Sequence, residues 1–160
     1  MFDVDVSATE TYRESEGYRP GDKAVLAQTP WGAVGMTICY DVRFAHLYRG
    51  LAQAGATFLT VPSAFSPVTG AAHWHALLRA RAIETGCFVI APAQTGIHPT
   101  TRGRARATYG HSLVVTPWGD VALDAGDACG VYLCDIAPEE VAQARARVPS
   151  ITKDAPFTGP

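Results

Sequence analysis

The chain has 160 residues, of which 48% are apolar and 18% charged, enough to build one sizeable core and the reverse of the balance that keeps a chain disordered. Thirteen Lys and Arg against fifteen Asp and Glu give a net charge of −2, which argues against a nucleic-acid binder with its clustered basic excess. No apolar run reaches the roughly 18–20 residues of a membrane span, and the start, Met1-Phe-Asp-Val-Asp-Val6, shows neither the basic nor the apolar region of a secretory signal.

In chain order, Lys23–Thr29 and Ala33–Cys39 are β-prone runs around the turn signal Pro30-Trp31-Gly32 and predict a hairpin. Phe44, Leu47, Tyr48 and Leu51 have helical spacing, which predicts a helix over Phe44–Ala54 stopped by Gly55. Ala56–Pro62 and Cys87–Ala93 are near-continuous apolar runs of the kind buried on both faces of a sheet. Between them Ala71–Thr85 predicts the strongest helix, ended by Gly86. Thr95–Thr108 reads as a long loop rich in Gly, Pro, Arg and Thr. Its basic stretch, Arg102-Gly-Arg104-Ala-Arg106, suits a solvated loop, with phosphate or substrate steering as the alternative. Three strands are expected at His111–Thr116, Asp120–Ala125 and Gly130–Asp135, then a helix from Pro138 through Arg147 and a surface tail from Pro149. The order β-β-α-β-α-β, then a meander and a helix, is an α/β class with a mixed sheet.

The four cysteines, Cys39, Cys87, Cys129 and Cys134, form no C-x2-C pair, so no zinc motif is visible. Cys129 and Cys134 are five apart on one expected strand and point to opposite faces, so free thiols in a reducing, cytoplasmic setting are expected. Cys39 ends an apolar strand and is followed at once by Tyr40-Asp-Val-Arg-Phe44 and a helix. That puts a thiol at the carboxyl end of a sheet strand, where open α/β sheets bind ligands, beside backbone N–H groups that stabilise a thiolate or an oxyanion. On position alone, a packing cysteine and a reactive thiol both remain open. Ser112 is a poor nucleophile candidate, because Gly110-His-Ser-Leu-Val114 lacks the second glycine of G-x-S-x-G.

Val34-Gly-Met-Thr-Ile-Cys39-Tyr-Asp-Val-Arg-Phe44 resembles the nucleophile motif of the nitrilase, or carbon–nitrogen hydrolase, superfamily. The resemblance continues through Leu59-Thr-Val-Pro-Ser-Ala-Phe65, Thr69-Gly70, His73-Trp74, Leu78-Arg-Ala-Arg-Ala-Ile-Glu84, Ala93-Gln94, Tyr109-Gly-His-Ser112 and Pro117-Trp-Gly119, so it covers nearly the whole chain. It implies an αββα four-layer sandwich, here its C-terminal part, as one domain over residues 1–160 truncated at its N-terminus. It also implies a Glu–Lys–Cys triad, with Cys39 as nucleophile. Glu14 matches a second glutamate near the cysteine in several members; Tyr40 would lend its backbone N–H to the oxyanion, and Arg43, Ser63 and Phe65 would contact substrate. His73, Trp74 and His111 are assigned packing or bracing roles. The triad's Glu and Lys would fall before Met1. The two lysines present, Lys23 and Lys153, match neither position.

The implied reaction is cysteine thioester hydrolysis of a small carboxylate-bearing amide, with no metal or organic cofactor. Cys-Tyr-Asp-x-Arg-Phe resembles the amidase branch of ω-amidases and deaminated-glutathione amidases, whereas nitrilases more often read Cys-Trp-Glu. A nitrile or carbamoyl hydrolase of the superfamily is one alternative, and a catalytically silent or dimerising fragment is another. The expected partners are a small amide and a second copy of the chain, as homodimer or higher homo-oligomer, with no nucleic acid and no membrane.

Overall fold

The computed structural model describes residues 3–7, 10–100 and 105–159. At its centre a six-stranded mixed sheet runs in the order β10-β9-β6-β5-β4-β3. The expected hairpin is present as β3 (Val25–Thr29) and β4 (Gly32–Met36), paired antiparallel from Val25↔Met36 to Thr29↔Gly32. β4, β5 (Ala56–Thr60) and β6 (Phe88–Ala91) are parallel, and the two crossovers between them are the helices α1 (Ala45–Gln53) and α2 (Pro67–Thr85). β9 (Leu113–Val115) and β10 (Val121–Asp124) extend the sheet antiparallel beyond β6. Two short hairpins flank it: β1 (Asp3–Ser7) with β2 (Glu10–Arg13), and β7 (Thr95–His98) with β8 (Arg106–Tyr109). α3 (Glu140–Arg147) closes the described secondary structure apart from short 3-10 turns.

α2 begins four residues before its expected start. Ser66 caps it, its Oγ accepting the Thr69 N–H at 3.3 Å, and Pro67 fills the first turn where no N–H partner is needed. Gly86 ends it in the left-handed region, φ 60°, with its N–H on Ala82 O. Gly70 lies where α2 meets β8: a Cβ there would come within 2.2 Å of the Tyr109 ring, so only glycine permits this approach.

Two regions depart from the sequence expectation. Thr95–Thr108 is not an open loop; its ends pair as β7 and β8 in the register Thr95↔Tyr109 to His98↔Arg106. The strand expected over Gly130–Asp135 does not form. The segment has no ladder partner among the described residues, and Val131 and Leu133 are more than nine-tenths exposed. β-prone side chains alone do not make a strand, because a strand's backbone groups must be paired.

One face of the sheet is sealed by α1 and α2. Tyr48, Leu51, Leu59, Val61, Trp74, Leu78, Val89, Leu113 and Val115 form a continuous core there, each at most 1% exposed. The opposite face is covered in part. Val34, Phe58 and Phe88 align across β4, β5 and β6 and pack with Val141 of α3. The next rung, Met36, Thr60, Ile90 and Val114, is at best half-buried. Among the described residues no helix is long and apolar enough to cross a membrane.

Candidate active site

The chain passes from β4 through Thr37 and Ile38 into a five-residue 3-10 turn, Cys39–Arg43, before α1 begins at Ala45. The thiol therefore sits at the mouth of β4, with a 3-10 turn in place of the α-helical N-terminus expected directly after it. Cys39 has φ 48°, in the left-handed region that a side-chain-bearing residue enters at a cost; among the described residues it shares this trait with His111 alone. Such strain persists only when the surroundings over-determine it, and it concentrates at functional sites.

The surroundings of Cys39 do that. Its N–H donates to Pro62 O at 2.9 Å. Asp41 closes the turn on both sides, accepting the Ile38 N–H at 2.9 Å and donating its own to Ile38 O at 3.0 Å. Thr37 Oγ1 donates to Thr60 O and meets the buried Tyr48 hydroxyl, and burial pushes the Tyr48 phenol well above its ordinary range. From α2 the buried Arg81 donates Nε–H to Val42 O at 2.7 Å, pairs with Glu84 at 2.8 Å and lies over the Tyr48 ring. The turn is thus clamped from β5, α1 and α2 at once.

Two clefts meet at Cys39. The tighter, about 370 Å3 including open solvent, is walled by Tyr40, Arg43, Phe65, Thr69 and Tyr12. The broader, about 1120 Å3 including open solvent, is lined by Glu14, Ser63, Gln94 and Ser112. Ala64 and Arg106 border both. The structure therefore gathers the other five residues singled out from the sequence around the Cys39 thiol, but divides them: Tyr40, Arg43 and Phe65 on one side, Glu14 and Ser63 on the other.

Arg43 carries its guanidinium 5.3 Å from the Tyr40 ring centre and 5.4 Å from that of Phe65, and both terminal nitrogens lie 3.4 Å from His73 Nδ1. Arg106 donates to Ala64 O at 2.8 Å and stacks 5.2 Å from the Tyr12 ring centre. Sequence reasoning placed Arg106 in a loop, solvated or, as the alternative, steering phosphate or substrate, and did not single out Thr69. The period-2 alternation of Arg106-Ala-Thr-Tyr109 is the signal that marks a strand there; Arg102 and Arg104 lie outside the described residues. Ser112 spends its hydroxyl on the backbone of Ala93, at 2.8 and 3.3 Å, which fits a brace.

The other cysteines are free and line neither cleft. Cys87 is buried, and burial raises its thiol despite the neighbouring Thr85 and Arg145, whose Nη2 donates to the sulfur at 3.0 Å. Cys129 is exposed and Cys134 half-buried, so neither occupies the apolar strand expected for it. The described residues contain a single cluster able to hold a metal ion, His75, His111 and Asp124, and none of its members lines either cleft.

Residues 1–146 match the carbon-nitrogen hydrolase family. A deaminated glutathione amidase of Synechocystis sp. is 45% identical over 153 residues, covering 94% of this chain and 55% of that protein. The crystal structure of the C. elegans NitFhit protein superposes with a TM-score of 0.82 at 39% identity, over 96% of this chain and 37% of that one. A mutant amidase from Nesterenkonia sp. AN1, showing Michael addition of acrylamide at its active site cysteine, superposes with a TM-score of 0.68 at 25% identity, over 85% of this chain and 52% of that one. The chain spans about half the length of the curated relatives it matches.

Proposed function

The chain belongs to the carbon–nitrogen hydrolase family, and from that membership we propose that Cys39 is the nucleophile of an amidase acting on a small carboxylate-bearing amide. The observation that carries this reading is the placement of one thiol, on strained and clamped backbone, at the meeting point of two clefts. In the proposed reaction the Cys39 thiolate attacks the amide carbon. The oxyanion is held by the Tyr40 N–H and a lysine ammonium, a carboxylic acid protonates the leaving amine, and water then opens the thioester. That lysine and the base that first takes the thiol proton are proposed to stand upstream of Met1 in a longer polypeptide, for which this chain supplies the C-terminal part. Glu14, across the broader cleft, supports the proton movements.

Substrate choice is assigned to the tighter cleft. Arg43 and Arg106 offer two planar guanidinium groups to a substrate carboxylate, while Phe65 walls the acyl portion there and Ser63 faces the broader cleft on the other side of the thiol. The similarity to a deaminated glutathione amidase supports an amide of that class.

The test is a substrate comparison in the longer polypeptide. Arg43→Ala and Arg106→Ala are expected to raise KM at least tenfold for ω-amides bearing a carboxylate and to leave neutral amides nearly unchanged. Equal losses on charged and neutral amides would remove the carboxylate assignment.

A second reading, a catalytically silent module that dimerises, is favoured by one observation, the partly open sheet face around Met36 and Ile90. Turnover that needs Cys39 separates the two.

A further inference from the structure

We propose that His75, His111 and Asp124 form a binding site for a divalent transition-metal ion of the zinc class, separate from the Cys39 clefts and independent of the amidase reading. The three ligands come from α2, the turn between β8 and β9, and β10, and their donor atoms all lie within 4.8 Å of one another. Asp124 stands between the imidazoles: Oδ2 is 3.0 Å from His75 Nε2, and Oδ1 is 2.9 Å from His111 Nδ1. Two imidazole nitrogens and one carboxylate are the donor set of zinc and its neighbours, whereas calcium and magnesium prefer all-oxygen shells. A tetrahedral zinc holds its ligand atoms about 3.4 Å apart, from bond lengths of roughly 2.0–2.2 Å. Asp124 Oδ2 lies 3.0 Å from His75 Nε2 and 3.1 Å from His111 Nδ1, so these two spacings need to open by a few tenths of an ångström, while the two imidazole nitrogens stand within 4.8 Å of each other.

A second, independent feature is how firmly His111 is held. Among the described residues it is the other non-glycine residue with left-handed backbone, φ 58°. Its N–H donates to Gly126 O at 2.6 Å, and its carbonyl accepts the indole N–H of the buried Trp74 at 2.8 Å. The ring stacks on Tyr109 with centres 4.5 Å apart and 24° between planes, and His75 meets both rings edge-on. Asp124 Oδ1 is oriented by the Gly126 N–H at 2.9 Å. Ligands fixed by a supporting shell of this kind are what distinguish a metal site from a surface histidine cluster. The side chains remain 28–35% exposed, which admits an ion and leaves its fourth position to water.

On binding, each neutral imidazole presents the lone pair of the nitrogen that now faces Asp124, and its single ring proton sits on the other nitrogen. The ion would tie α2 to β10 across the end of the sheet, a structural clasp.

The experiment uses the whole chain, chelator-stripped and with its accessible thiols alkylated so that exposed sulfur does not compete. Titration with Zn2+ by calorimetry, and with Co2+ by visible absorption, should give one saturable site per chain without thiolate charge-transfer bands. His75→Gln and Asp124→Asn should each weaken binding at least tenfold, and Zn2+ should raise the thermal midpoint of the parent chain but not of the variants. His75→Gln decides the matter if Asp124→Asn does not fold, because His75 lies half-exposed on a helix. Absence of a saturable site, or affinity that either folded variant retains, overturns the proposal.

Discussion

The two faces of the central sheet are finished to different degrees. On the α1/α2 face, a continuous core that includes Tyr48, Leu59, Trp74, Leu78, Val89 and Val115 is excluded from solvent, and the covering helices are the crossovers that join the strands they cover. On the other face the covering is partial: Phe58 and Phe88 meet Val141, but Met36 in the next rung is 53% exposed. A face covered by its own crossovers is specified by sequence close at hand; a face covered from elsewhere depends on distant chain or a second molecule. The site inherits both conditions. Cys39 has its backbone clamped from the finished side, while the groups that would activate it are proposed to come with the covering of the other.

The largest effect that sharpens this contrast concerns activity. The chain alone should hydrolyse succinamate-type amides at least ~10^3-fold more slowly than a polypeptide extended upstream to include the lysine and the base. Comparable, Cys39-dependent turnover by the chain alone would break the link between the open face and the incomplete site. Next in size is stability. Trp74→Ala on the finished face should cost about 3–5 kcal/mol, since it empties a fully buried site against Phe65 and strands the His111 carbonyl. Met36→Thr on the open face should stay within about 0.5 kcal/mol. Denaturant unfolding measures both, and similar costs would mean the two faces are equally packed.

Self-association follows from the same asymmetry. Sedimentation should show the chain dimerising or aggregating, with Val131→Ser combined with Leu133→Ser shifting it toward monomer. A parent chain that is monomeric with one sharp thermal transition would contradict this. The smallest effect lies at the tail. Arg49 and then Gln53 bind Asp154 and hold its carboxyl below the ordinary value. Its contribution is therefore present above the unfolded pKa and lost as pH falls through the lower folded one, below about pH 4. Hydrogen exchange in residues 150–154 should rise there in the parent chain and already be raised at neutral pH in Asp154→Asn.

The sequence was most readable where structure is local. The Pro30-Trp31-Gly32 turn, the 3.6-residue spacing of Leu47, Tyr48 and Leu51, and the Gly86 stop each depend on neighbours a few residues away, and each element lies where its signal puts it. The start of α2 was also written locally, in Ser66-Pro67, but the exposed first turn carries no apolar stripe to draw attention to it. The β7–β8 hairpin was obscured because Gly96 and Pro99 interrupt the alternation, and its pairing is visible only once Thr95 meets Tyr109. Gly130–Asp135 shows the converse, a strand pattern whose partner is not among the described residues. At the site, the Cys39 turn carried a motif and could be read. Arg106 reaches the clefts through a hairpin, and His75, His111 and Asp124 converge from separate elements, so no spacing announces them.

The central claim, that Cys39 is the reacting thiol, is tested most directly by alkylation of the extended polypeptide with iodoacetamide at neutral pH, following loss of turnover and adduct position together. Exposed Cys129 should also take label, but without consequence, and buried Cys87 should stay unmodified. The account predicts that inactivation tracks the Cys39 adduct alone, and that Cys39→Ser folds but loses turnover while Cys129→Ser keeps it. Inactivation that follows another cysteine while Cys39 remains free, or near-native turnover in Cys39→Ser, would contradict it.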